Sequence, residues 1–311
     1  MKKYSIGVDI GGSHISCAAC DLVDRKILME TFSDNEVNNQ GTADEIINVW
    51  VQTLKDTIRK TGKDKINGIG FAMPGPFDYA NGIAWFTHDI KKYENLHGLD
   101  VVEAMRKQMN LPQEFPIRFI GDATAFAIGE DWIGKASGTK SSLSITLGTG
   151  FGSAFIKNHL PVVNGGEVPR MGNVYHLPFE GSIADDYFST RGLLNRYKAK
   201  TGKQLPGVKQ LAELAPNDPI ANEIFIDFGH KMGVFLKPWL ISAGVEALVI
   251  GGNISNAFNL FGNSLQKYFN DHGIKTKIEL SELKETASMI GGAVLIDNEF
   301  YERVKPLLPY M

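Results

Sequence analysis

Cysteine is scarce in this chain, basic charge shows no excess, and no apolar run is long; each shortage narrows what the protein can be. Only Cys17 and Cys20 occur. Their odd separation within one predicted strand puts them on opposite faces, which argues against a mutual disulfide and for buried thiols. A net charge of -3 with 22% charged residues gives no electrostatic footprint for nucleic acid. The longest apolar stretches fall short of the roughly 18–20 residues that span a bilayer, so no membrane partner is expected. Met1-Lys2-Lys3 opens like a signal peptide, but Asp9 and the glycines after it break the apolar region and no small-residue cleavage site follows. A cytoplasmic location is the expectation. No Gly-x-x-x-x-Gly-Lys-[Ser/Thr] sequence occurs, which removes the P-loop nucleotide enzymes.

Glycine, by contrast, is placed where it can do chemistry. Ile6-Gly7-Val8-Asp9-Ile10-Gly11-Gly12-Ser13 runs on into His14-Ile15-Ser16-Cys17, and Leu143 to Leu147 enters Gly148-Thr149-Gly150-Phe151-Gly152-Ser153 before Ala154-Phe155-Ile156. Each is an apolar run, a Gly/Ser/Thr turn and a second short run without helical period, so each reads as a β-hairpin. Glycine in such turns lets backbone N–H groups approach an anion, and the hydroxyls of Ser13, Thr149 and Ser153 add donors. Two such clamps suit the two ends of a triphosphate. The spacing Gly148-x-Gly150-x-Gly152 differs from a dinucleotide fingerprint because a return strand, not a helix, follows it.

At 311 residues the chain suits one large or two moderate domains. After the first hairpin come a strand at Lys26 to Phe32 and a helix opened by the capping box Thr42/Glu45 and closed by Gly62. A strand at Ile66 to Ala72 stops at Met73-Pro74-Gly75-Pro76. Then follow a helix over Val101 to Met109, a strand at Ile117 to Ile120 and an Ala-rich helix from Ala123 to Gly134. The hairpin at Ser142 to Ile156 starts a second round, with helices at Ile183 to Lys200 and Pro219 to Ser242, a strand at Ala247 to Ile250 and a helix from about Ser255. This order predicts two duplicated α/β domains facing each other across a cleft. The expected boundaries are 1–121, completed by a C-terminal helix at about 297–311, and 122–296.

Three residues stand out for chemistry. Asp122 closes a strand and opens a helix, so it reads either as an N-cap or as a general base at the carboxyl end of a strand, where ligands of open α/β sheets collect. Asp9 precedes Gly11-Gly12 and reads either as a turn-former or as a carboxylate for a Mg²⁺ that keeps most of its waters. His176 lies in a polar loop, Gly172 to Leu177, as a structural or a functional histidine. The tryptophans and the Phe-rich stretch 225–235 read as core.

These motifs, in this order, resemble the ROK family (repressors, open reading frames and sugar kinases) of the actin-like ATPase superfamily, essentially end to end. Asp9-Ile10-Gly11-Gly12-Ser13 is similar to its first phosphate motif, with Ser in a Thr place, and Gly148-Thr149-Gly150-Phe151-Gly152 to its second. Pro74-Gly75-Pro76 resembles the loop that closes over the sugar, Leu248 to Asn253, with Gly251 and Gly252, the adenosine-side motif, and Gly291-Gly292-Ala293 the closing helix. The resemblance implies two actin-like (ribonuclease H-like) ATPase domains, ATP and Mg²⁺ as cofactors, a small-molecule sugar as substrate and a homodimer.

The resemblance also assigns roles. Asp122 matches the Asp of an Asn-Asp pair that holds the sugar and deprotonates its hydroxyl, with Gly121 in the Asn place. His176 matches a sugar-binding histidine, Asn173 stands where the family has Glu, and Asp185, with Ser189 in register, corresponds to a further sugar-binding Glu. The family's cysteine-rich zinc signature is absent, as Phe179 to Ala184 holds no cysteine, and no zinc is expected. His88, Asp89, Lys91 and Lys92 are candidate replacements for the lost sugar contacts. The expected function is ATP-dependent phosphorylation of a hexose or N-acylhexosamine hydroxyl, with Asp9 positioning Mg²⁺ through water. The rivals are a catalytically impaired sugar or nucleotide sensor and an actin-like ATPase or acyl-phosphate enzyme with a non-sugar substrate.

Overall fold

In the computed structural model, which describes residues 3–88 and 92–311, Tyr4–Ile10 (β1) and His14–Asp21 (β2) pair antiparallel across the first glycine turn, with Ile10 opposite Ile15. Successive residues of both strands are buried, so both faces of their sheet are covered. Lys26–Glu36 (β3) joins β2 antiparallel, while Ile66–Met73 (β4) and Ile117–Gly121 (β5) add in parallel to give the order β3-β2-β1-β4-β5. Between them, helix Ala43–Thr61 (α1) starts with both bonds of its Thr42/Glu45 capping box made and ends at Gly62, whose φ of 95° only glycine adopts freely. Helices Val101–Met109 (α2) and Asp122–Ile133 (α3) flank β5 in the chain.

The second unit repeats the plan. Ser141–Leu147 (β6), Phe151–Lys157 (β7), Leu160–Val162 (β8), Ala247–Gly251 (β9) and Lys277–Leu280 (β10) form a sheet of order β8-β7-β6-β9-β10, antiparallel on the hairpin side and parallel beyond β6. The helix expected over Ile183 to Lys200 is two, Ala184–Phe188 (α4) and Thr190–Thr201 (α5), broken at the extended and fully buried Ser189. The break arises because the Thr190 N–H donates to Gly148 C=O at 2.8 Å rather than continuing the helical ladder. Pro219–Ser242 (α6) has the expected bounds, with Asp218 capping the N–H groups of Ile220 and Ala221. A 3₁₀ turn, Asn253–Ala257, precedes helix Phe258–Asp271 (α7). Phe225, Phe228 and Phe235 are buried in this unit's core. Cys17 and Cys20 are free and buried in the first unit, and burial pushes both thiols up to about 12.

The chain divides after Gly134 and returns at Glu285, so the units are Met1–Gly134 with Glu285–Met311, and Lys135–Lys284, rather than breaking at 121 and 297. Backbone packing explains the shift. Helix Thr286–Val294 (α8) lies so close to its neighbours that a Cβ on Gly7 of β1 would sit 1.8 Å from Met289 O, and one on Gly70 of β4 1.9 Å from Gly292 O. A Cβ on Gly291 would meet Ala125 O of α3 at 1.8 Å. Both α3 and α8 are thereby fixed to the first sheet. Among the described residues no helix is long and apolar enough to cross a membrane.

Gly291→Ala forces a methyl group into the Ala125 carbonyl and is expected to destabilise the protein at the upper end of the roughly 1–3 kcal/mol typical of overpacking. Thermal unfolding measures it; a variant as stable as the parent would contradict this packing.

Candidate functional site

In the first unit, the carboxyl ends of β1, β4 and β5 bring the sequence's candidates together. Asp9 pairs in register with Ala72, which pairs with Ile120, so Asp9, Pro74 and Asp122 leave the sheet at one edge. The turn between β1 and β2 is fixed through its carbonyl groups. Gly11 N–H donates to His14 C=O at 2.9 Å, Tyr93 OH to Gly11 C=O at 2.7 Å, Val37 N–H to Ser13 C=O at 2.8 Å, and the Asn39 side-chain amide to Gly12 C=O. The N–H groups of Gly12 and Ser13 have no partner within the described chain. Donors fixed in place and left open are what an anion site requires.

Asp9 makes no Asx bond to this turn, since the one ring-closing N–H goes to His14. Its partly buried carboxylate has no hydrogen-bond partner among the described residues. Burial, then the charges of Asp122 and Glu285, push its pKa up to about 8. Asp122 is the first helical residue of α3 rather than its cap: Gly121 holds the N-cap place, and Asp122 Oδ1 accepts the Ala123 N–H at 2.7 Å. The residue is reached by solvent, yet the protein packed around its carboxylate raises the pKa, with the Ala123 N–H and the Lys92 charge acting in the opposite sense. A raised pKa makes a carboxylate a better proton acceptor.

Pro74, Gly75 and Pro76 form a loop with a cis Gly75-Pro76 bond. Tyr79, which sequence reasoning missed, is buried beneath it. Its hydroxyl donates to Met73 C=O at 3.2 Å and lies 3.3 and 3.4 Å from where a Cβ on Gly75 or Gly121 would stand. Tyr79 thus adjoins the place where the family carries Asn. Nothing short of the folded loop could have placed it. His88 pairs with Glu94 at 2.7 Å on an exposed side chain; Asp89 and Lys91 lie outside the described residues.

In the second unit, the turn Gly148-Thr149-Gly150 closes through Gly148 N–H to Gly150 C=O at 3.0 Å. Thr149 is exposed and Gly152 lies in β7 opposite Thr146. Gly252, at φ 80°, presses on the end of β6: a Cβ there would stand 2.4 Å from Leu147 O. Gly251 and Gly252 therefore adjoin the Gly148 turn. Asn173 and His176 also come together, with His176 Nδ1 2.9 Å from Asn173 Oδ1. An amide oxygen only accepts, so in this contact the imidazole Nδ1 is the donor, and Nε2 is left free of this bond.

Asp185 is differently engaged. Its Oδ1 accepts the Phe151 N–H at 2.7 Å beside Gly150, and its Oδ2 meets Arg191 Nη2 at 3.0 Å. In this structure it braces the second glycine turn from behind.

A Mg²⁺ fits the Asp9 carboxylate chemically. That carboxylate is partly buried, accepts no hydrogen bond among the described residues and has no counter-charge among the groups that act on it. Mg²⁺ takes one or two carboxylates and completes its shell with water and phosphate.

The chain belongs to the ROK family, whose family model matches residues 5–299. It is 25% identical to a glucokinase of Thermotoga maritima, covering 95% of this chain and 98% of that one. It is 24% identical to an N-acetyl-D-glucosamine kinase of Haemophilus influenzae, covering 87% and 90%. The crystal structure of a ROK family glucokinase from Streptomyces griseus in complex with glucose and AMPPNP superposes with a TM-score of 0.71 at 22% identity, over 94% of this chain and 98% of that one. The two matching sheets are those of the actin-like ATPase fold shared by ROK sugar kinases.

Asp9 offers a pH test that needs no substrate. Its native pKa of about 8 lies above the roughly 3.9 of an unfolded chain, so between those values the native state holds a proton that unfolding releases. Stability from this group is full below pH ~4 and is lost as pH rises through ~8. Asp9→Asn is therefore expected to match the parent near pH 4 and exceed its Tm above pH 8 by at least about 2–4 °C, the equivalent of ~1 kcal/mol at this size. A constant Tm difference across pH would contradict the raised pKa.

Proposed function

We propose that this protein is an ATP-dependent kinase acting on a hydroxyl of a hexose or N-acylhexosamine. The observation that carries the reading is Asp122: a carboxylate with raised proton affinity, at the end of a parallel strand, in the same unit as a glycine turn whose N–H groups are open. Support comes from the glucokinase and N-acetyl-D-glucosamine kinase relatives over almost the whole chain.

In this reading Asp122 accepts the proton of the attacking sugar hydroxyl. The Gly11-Gly12-Ser13 and Gly148 to Gly152 turns hold phosphate oxygens, and Gly251 and Gly252 line the adenosine side. Asn173 and His176, already joined by a hydrogen bond, offer Nε2 and the amide group to sugar hydroxyls. Pro74, Gly75 and Gly121 border the sugar, with Tyr79 filling space beside Gly121. Asp185, assigned to the sugar by resemblance, keeps the second turn in shape through Phe151 and Arg191 and has lone pairs left to accept from a sugar hydroxyl. Bound Mg²⁺ would be held by Asp9, through water, and would neutralise phosphate charge. Phosphoryl transfer needs little else from a protein than positioning and charge neutralisation. A cytoplasmic homodimer is part of the same proposal.

One observation favours a second reading, a sensor that binds sugar without phosphorylating it. Gly121 and Asn173 stand where the family has Asn and Glu, and losing one hydrogen bond to a sugar costs about 0.5–1.5 kcal/mol, or about 1.5–3 when a charged group makes it.

ADP release with Mg-ATP across a panel of hexoses and N-acetylhexosamines separates the two. A kinase shows stimulation by one sugar, reduced about 10²- to 10⁴-fold by Asp122→Asn with ATP affinity retained. A sugar that binds without stimulating ADP release supports the sensor. Full turnover in Asp122→Asn removes Asp122 from its role.

A further inference from the structure

Lys92 has a setting that its candidate role as a sugar contact does not explain. The residue after it, Tyr93, is fully buried in a left-handed conformation (φ 55°) and is tied to the first glycine turn twice over. Its hydroxyl donates to Gly11 C=O at 2.7 Å, and its N–H donates to Asn39 C=O at 3.0 Å, the same Asn39 whose amide holds Gly12 C=O. These bonds fix the backbone of Lys92 beside the turn. The side chain then lies along Gly12, where a Cβ would stand 3.1 Å from both Cε and Nζ and 3.6 Å from Cδ. A side chain at Gly12 would crowd the end of the lysine where it now lies.

The ammonium makes no ion pair or hydrogen bond within the described chain, although the residue is only partly exposed. Its nearest charge relation is with Asp122, which it favours in the ionised form. Lys92 therefore presents three unused donors beside Gly12, in the turn whose Gly12 and Ser13 N–H groups are open. A cation beside a turn with two open backbone donors suits a tetrahedral oxyanion.

We propose that Lys92 is a catalytic cation that binds the oxygens of the phosphoryl group being transferred, together with the Gly12 and Ser13 N–H groups. The proposal rests on the kinase reading and assigns that site its charge-neutralising side chain. In the step, the sugar oxygen forms a bond to the terminal phosphorus as the bond from phosphorus to the β–γ bridging oxygen breaks. The hydroxyl proton passes to Asp122, and ADP leaves with the electron pair of the broken bond. Lys92 remains charged throughout, and its charge keeps Asp122 ionised and able to accept.

The test compares ATP with ADP, since only ATP carries the terminal phosphate. Calorimetric Kd values without sugar are expected to show Lys92→Met weakening ATP by about 10- to 100-fold, the equivalent of one charge-assisted hydrogen bond, while ADP is unchanged. Lys92→Arg, which keeps the charge, is expected to restore most of the loss. In turnover, Lys92→Met lowers kcat and moves the acid limb of kcat/KM to higher pH, because Asp122 loses its cation; Asp9, the other carboxylate that feels Asp122, is common to both proteins. Equal weakening of ATP and ADP, or an unchanged ratio, overturns the assignment while leaving the kinase reading intact. A parent protein that discriminates ATP from ADP through Lys92 yet phosphorylates no sugar overturns the kinase reading and keeps the anion site. A parent that binds neither nucleotide overturns both.

Discussion

The contact on which the first unit depends is backbone against backbone. Gly7, Gly70, Gly129 and Gly291 let α8, from the far end of the chain, come within carbonyl contact of β1, β4 and α3. Any side chain at those positions would hold the elements apart, and the packing density of a protein interior leaves no slack to absorb that. The consequence reaches the chemistry. Glu285 is the residue before α8, so seating the helix on the sheet also brings that carboxylate near enough to raise the pKa of Asp9. The same contact fixes α3, whose first residue is Asp122. One steric condition therefore sets both the shape of the unit and the crowding of its acids.

That crowding has a clear charge logic. Asp9 and Asp122 stand at the carboxyl ends of β1 and β5, on either side of β4, and each is raised in pKa. Burying carboxylates without counter-charge costs stability, and the cost is relieved when a cation arrives. Lys92 supplies one charge on the Asp122 side; the Asp9 side has none among the described groups that act on it. In the proposed function, a magnesium-bound polyphosphate would bring positive charge to Asp9 and negative charge to the open N–H groups and Lys92.

Much of this was legible in the chain. Gly11-Gly12-Ser13 and Gly148-Thr149-Gly150 announce turns by clustering glycine and hydroxyl residues between apolar runs, and the Thr42/Glu45 box and the Asp218-Pro219 pair mark helix starts through local bonds. The duplicated sheet order follows from such local signals. What was not legible depends on contacts between residues far apart in sequence. Tyr79 beside Gly121, Tyr93 on Gly11 and Asp185 behind Phe151 have no local pattern to mark them. The domain boundary was misplaced for the same reason, since α3 follows β5 directly but is held by a helix more than 150 residues later, Thr286–Val294. The break at Ser189 likewise comes from Gly148, in another element.

In the proposed function the Asp9 carboxyl group, partly buried and with its pKa raised to about 8, gives up its proton when a magnesium nucleotide binds. Calorimetry of Mg-AMPPNP binding at pH 7 in buffers of different ionisation enthalpy measures this directly. The account predicts net release approaching about one proton per site in the parent protein, absent in Asp9→Asn. Equal proton release from the parent and from Asp9→Asn would contradict it.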